Sequence, residues 1–125
     1  MAQLFTNNAV SLLATNITAA ATSITLPVGD GAKYPLPTGV DYFLMTIYQI
    51  SGTSEINHEI IKVTQRTGDT LSVVQRAQEG TTARAFVQND PIELRVTADS
   101  MRQTQSSWVS TNLSFNDAQF NNIGI

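Results

Sequence analysis

The sequence predicts an all-β fold: a small β-sandwich or partly open barrel of about six short strands, followed by a short helix and an extended C-terminal tail. Three observations predict it. Apolar residues recur at period two, turn residues punctuate the chain at regular spacing, and no long helical pattern lies between them.

SITLPV alternates Ile24, Leu26 and Val28, the pattern of a half-buried strand, and the glycines and prolines of GDGAKYPLPTG then break regularity as a loop. DYFLMTIYQI, residues 41–50, is apolar on both parities and rich in aromatic and β-branched residues, which suits a central strand covered on both faces. SGTSE makes a turn. NHEIIKVTQR, TGD and TLSVVQR read as strand, Gly-Asp turn and strand, with Ile61 and Val63 facing Leu71 and Val73 or their neighbours. QNDP supplies another turn, and PIELRV alternates Ile92, Leu94 and Val96 behind a proline at a permitted strand start. The expected core is Ile24, Leu26, Phe43, Met45, Ile47, Ile61, Val63, Leu71, Val73, Ile92 and Leu94, in an all-β domain at about 20–96.

TADSMRQTQSSW, 97–108, is the one helical stretch. Thr97 or Asp99 can cap it, and Met101, Gln105 and Trp108 share a face. Composition shifts near residue 97, which divides the chain into 1–97, with an N-terminal arm at 1–20, and 98–125.

With 42% hydrophobic and only 14% charged residues, the surface must be largely Thr, Ser, Asn and Gln. A net charge of −3 carries no electrostatic footprint for nucleic acid. Cysteine is absent, which excludes disulfides, zinc ribbons and redox pairs. No segment approaches the roughly 20 apolar residues of a membrane span, and the N-terminus lacks a signal pattern, so the expectation is a non-secreted, soluble chain without a membrane partner.

Candidate chemistry is thin. His58 lies near Glu55 and Glu59, but on a strand Glu59 points to the opposite face, which breaks up a metal or proton-shuttle cluster. Glu79 and Glu93 are conceivable paired acids with nothing to fix their separation. GDGAKYP lacks the spacing of a phosphate loop. Arg76, Arg84 and Arg95 suit ion pairs or packing better than anion binding. No catalytic residue, cofactor or metal is expected.

The order EIIKVT, then TGDTLSVVQRAQEGTTARAF, then an Asp-containing turn and PIELRVTA resembles a domain near the N-terminus of tail fibre and other tail or neck proteins of tailed bacteriophages. LFTNNA, TNITAAATSITL and DYF are similar to the opening of the same family. The resemblance runs from about Leu4 to Ala98, about three-quarters of the chain, and its most specific element is QEGTTA in this strand context. Ala77 stands where that pattern often has Gly.

The resemblance implies a virion-anchoring all-β module at 1–97 that holds other virion proteins. Within it Arg76, Gln78, Glu79, Gly80, Thr81 and Thr82 form a structural corner, with positive φ at Gly80, extended structure resuming at Thr81 and Thr82, and Arg76 pairing with Glu79 or Glu93. Fewer than thirty residues follow the domain, too few for a shaft or receptor-binding tip. The implied role is a non-enzymatic, multi-copy adaptor or collar-like subunit of the virion. It would be made in the host cytoplasm and attach to tail, baseplate or neck, bridging fibres or its neighbours. Trp108, Leu113, Phe115, Phe120 and Ile123 are the expected partner-docking residues: too sparse for a core of their own, they are expected to order only against another chain. Two rivals make different demands. A capsid-decorating or glycan-binding module requires an exposed platform among Tyr34, Tyr42, Tyr48 and Trp108, and a cell-wall-degrading enzyme requires two converging carboxylates.

Overall fold

The computed structural model describes residues 3–101, except for the side chain of Val73. Gln105, Trp108, Leu113, Phe115, Phe120 and Ile123 therefore lie outside the described residues. Contacts divide the chain into two compact units, Met1–Arg95 and Val96–Ile125.

The first unit is all-β. Its strands are β1 (Val10–Leu12), β2 (Ile24–Thr25), β3 (Phe43–Ser51), β4 (Ser54–Thr67), β5 (Thr70–Gln78) and β6 (Pro91–Glu93). They form one antiparallel sheet in the order β1-β6-β3-β4-β5-β2. The two outer strands meet where Ala14 N–H donates to Thr25 C=O at 3.1 Å. That bond curls the sheet round onto itself, so of the two predicted architectures the partly open barrel is the one formed. Closure lets one face of a single sheet enclose its own core.

Both long hairpins turn on a glycine at the first central position. Gly68 has φ 59° between paired Thr67 and Thr70, and Gly52 has φ 63° between paired Ser51 and Ser54. Positive φ at that position matches the twist of the flanking strands. Within β3, Phe43, Met45 and Ile47 are fully buried on the inner face. On the outer face Tyr42 and Tyr48 are covered by cations, Lys62 Nζ at 4.5 Å and the Arg95 guanidinium at 4.6 Å from the ring centres.

Of the predicted core, Ile24, Leu26, Phe43, Met45, Ile47, Ile61, Val63, Leu71 and Ile92 are buried as expected. Leu94 is a correction. It lies beyond β6 and is only partly buried, and Val96 is exposed, because β6 ends at Glu93. Val28 is also corrected: β2 stops at Thr25, Pro27 follows, and Gly29 turns the chain at φ 89°, leaving Val28 in solvent. The domain begins earlier than residue 20. The N-terminal arm supplies β1 and three core residues, Ala9, Leu13 and Ile17, and Ile17 bridges Phe86. Tyr34, Val74 and Phe86 complete the core.

A 3-10 turn, Asp30–Lys33, forms inside the segment read as plain loop. Asp69, in the β4–β5 turn, accepts from Gly29 N–H at 3.0 Å and Gly31 N–H at 2.8 Å, pinning this turn to the hairpin. These two bonds hold the Asp69 carboxyl below its ordinary pKa. Tyr34 follows, stacked on Phe43 with centroids 6.1 Å apart, and burial pushes its phenol up to about 12. Gly31 is in close contact with the Gly68 carbonyl: a Cβ there would overlap that oxygen and lie 2.8 Å from Asp69 Cα. Both are backbone atoms that cannot rotate aside. Gly31→Ala is expected to cost about 1 to 3 kcal/mol as overpacking, read as a lower urea midpoint.

In the second unit, residues 98–101 form a helical turn. Its cap is Thr97, whose hydroxyl accepts from Ser100 N–H at 3.0 Å while its carbonyl accepts from Met101 N–H at 3.0 Å.

Candidate functional site

The motif-bearing stretch starts at a β-bulge. Lys62 pairs with Gln75 and Ile60 with Gln78, so Arg76 and Ala77 together oppose Ile61. Ala77 takes φ 54°, the left-handed region, where an L-residue with a Cβ is strained. Glycine adopts this backbone without that strain. Replacing Ala77 by Gly is expected to raise stability by about 0.5 to 1 kcal/mol, the reverse of the usual Ala→Gly loss, measured by urea unfolding.

The bulge brings Arg76 and the Ala77 N–H to a buried carboxylate. Arg76 was expected to pair with Glu79 or Glu93, but its partner is Glu59, fully buried on β4. Arg76 Nε donates to Glu59 Oε2 at 2.7 Å and Nη2 to Oε1 at 2.8 Å, a two-pronged pair. Glu59 also accepts from Ala77 N–H at 3.0 Å and Arg84 N–H at 2.9 Å. The remaining donors of Arg76 reach the carbonyls of Thr18 (2.7 Å), Ala21 (3.2 Å) and Arg84 (2.6 Å). Burial alone pushes the Glu59 carboxyl up, but the hydrogen bonds from Arg76, Arg84 and Ala77 outweigh it and leave the pKa below its ordinary value.

Around this pair the turn Gln78–Thr81 has positive φ at two residues, Glu79 (54°) and Gly80 (80°), where only Gly80 was expected. Thr81 Oγ1 accepts from Ile60 N–H at 3.1 Å and donates to Gln78 C=O at 2.7 Å, tying the turn to β4. Thr81 and Thr82 do not resume a strand: Phe86 makes an isolated bridge to Ile17, and strand pairing returns at β6. Glu79, Gly80 and Thr82 are exposed. Arg76, Gln78 and Thr81 thus hold the corner together, and Glu59 was the member missed. A signal for it existed: Glu59 shares the parity of Ile61 and Val63, which puts a carboxylate on the core face, where it requires a cation.

A second polar cluster lies on the outer surface. Arg95 holds Glu55 through two bonds, 3.0 and 2.9 Å, and Glu93 through one of 2.6 Å, while Tyr48 OH donates to Glu93 at 3.2 Å. A bulge at Asn57–His58 sets His58 against Tyr48, with centroids 5.5 Å apart and Nε2 2.9 Å from Glu55. Arg95 foremost, then His58, holds Glu55 down to about 2. Glu59 points away from His58, as the strand parity required. Among the described residues no three His, Cys, Asp or Glu are grouped to hold a metal. Glu93 is engaged by Arg95 and Tyr48, and Glu79 sits in the exposed corner turn. Tyr34, Tyr42 and Tyr48 are all buried, so no platform forms from these three.

A third feature is an open cleft of about 500 Å³ beside β1, lined among others by Leu12, Pro27, Asp30, Lys33 and Gln88. No described helix is long and apolar enough to cross a membrane. Compared with known proteins, the chain matches no protein-family model and no curated protein.

Proposed function

We propose that this chain is a non-enzymatic structural subunit of a tailed-bacteriophage particle. It is present in several copies as an adaptor or collar-like piece that attaches to tail, baseplate or neck and bridges fibres or neighbouring subunits. One observation supports this above others. The residues that carry the resemblance, from Arg76 to Thr82, build a corner around a buried ion pair in which Arg76 and Glu59 each engage several backbone groups. Such a corner rigidifies a small barrel and suits a part that positions other chains. The test is to purify particles from a lysate and quantify the chain in them. It should co-purify at a fixed stoichiometry, and a chain ending after Trp108 should fold yet fail to incorporate. Absence of the full-length chain from the particles overturns the reading.

A further inference from the structure

The cleft beside β1 borders an incomplete sheet edge. β1 pairs with β6 on one side, and on its other side Ala14, just past its end, bonds Thr25 while β1 itself adds no strand. The bonds to that side run from Leu94 N–H to Ala9 C=O (3.0 Å) and from Leu13 N–H to Asp90 C=O (2.9 Å). Antiparallel ladders alternate, so Ser11 belongs to this bonded series, whereas Val10 and Leu12 turn their backbone groups away from β6. There Val10 C=O accepts from Lys33 Nζ at 3.1 Å. Val10 N–H and both backbone groups of Leu12 have no hydrogen-bond partner among the described residues. The side chains of Val10 and Leu12 are 47% and 44% exposed, which places two apolar residues at two-residue spacing along an open edge.

We propose that residues 113–117 of a second copy of this chain add to that edge as a strand, an inference that rests on the multi-copy reading above. The segment Leu113-Ser-Phe115-Asn-Asp117 repeats the spacing of the edge: Leu113 and Phe115 share a parity, as Val10 and Leu12 do. Asp117, on the same parity, is the one charged residue between 109 and 125, and Lys33, half-exposed at the cleft with Nζ 3.5 Å from Asp30 Oδ1, is the cation it would meet. An incoming backbone N–H takes over the Val10 carbonyl from Lys33, and the released ammonium bridges Asp30 and Asp117. The chain from 102 to 112 spans up to about 36 Å when extended, enough to reach a neighbour.

Because the chain has no cysteine, the contact is testable by cross-linking. Full-length Leu12→Cys and Phe115→Cys chains, each with an unchanged circular dichroism spectrum, are mixed and oxidised. Cross-strand neighbours have Cβ atoms about 4.5 to 5.5 Å apart, close enough for a disulfide after small adjustment. The expected result is a disulfide-linked heterodimer. Ile50→Cys, exposed on β3 near its turn, paired with Phe115→Cys should give at most about a tenth as much. In sedimentation, Asp117→Lys should weaken self-association about tenfold, and mixing it with Lys33→Glu should restore it. An oligomer without the 12–115 link overturns this site while leaving the multi-copy reading standing. A chain monomeric at every concentration, with no link, removes both. A link that forms only within a doubly substituted chain shows that the segment returns to its own β1 and overturns exchange between copies.

Discussion

Removing the guanidinium of Arg76, as Arg76→Met, is expected to cost about 3 to 5 kcal/mol, the cost of leaving a buried charge without its partner. Glu59→Gln should fall in the same range, because a neutral amide cannot accept both prongs of Arg76 together with two backbone N–H groups. The double variant Glu59→Leu/Arg76→Met separates two accounts. Where a buried pair touches only itself, an apolar replacement is often neutral. Here the pair also serves the carbonyls of Thr18, Ala21 and Arg84 and the N–H groups of Ala77 and Arg84. Those backbone groups would be stranded, so the double variant should stay well below wild type in urea midpoint. Acid should act on the same network. The folded-state pKa of Glu59 lies below its ordinary 4.5, so its stabilisation is fully present above that value and is lost as pH falls through the folded pKa. Glu55, held to about 2, loses its own contribution over the same fall from 4.5 downward. Wild type should therefore lose stability as pH falls below 4.5, and Glu59→Gln should show a flatter pH dependence.

Ile47→Ala is the second large effect expected, about 2 to 5 kcal/mol. Ile47 is fully buried at the centre of β3, where it pairs with Glu59 on β4 and Ile92 on β6. Its truncation opens a cavity in the middle of the barrel, with strands on both sides held in register by their ladders, so the site can collapse little. Chemical denaturation is the measurement. A loss under about 1 kcal/mol would show that the core repacks around the gap.

The inner face of β4 was legible because period two survives there, at Ile61 and Val63; Phe43, Met45 and Ile47 were placed although β3 is apolar on both parities, and in β5 the buried Val74 was not foreseen. Legibility failed where a strand is too short to show a period. β1 has three residues, and Ala9, Leu13 and Ile17 enter the core from a polar, threonine- and asparagine-rich arm. It failed again at bulges, which no local composition announces. Arg76 lies two residues past Val74 on a core-facing parity, but its partner is set by tertiary pairing with β4, seventeen positions back in sequence. The corner's turn was readable from Glu-Gly, and its ion pair was not, since nearness in sequence favoured Glu79.

The pairing of β1 with β6 has a kinetic consequence. Val10 pairs with Glu93 across more than eighty residues, whereas β3, β4 and β5 are joined by two tight turns. Closing so long a loop costs entropy that a two-residue turn does not, so the three-strand meander can assemble while the N-terminal arm is still a coil. On a ribosome the arm emerges first yet must wait for the last strand to be made. Pulse-labelled hydrogen exchange during refolding should show amides of β4 protected before those of Leu13 and Ile17. A nascent chain halted before Pro91 would carry β1 without its partner strand, open to any chaperone or sister chain nearby.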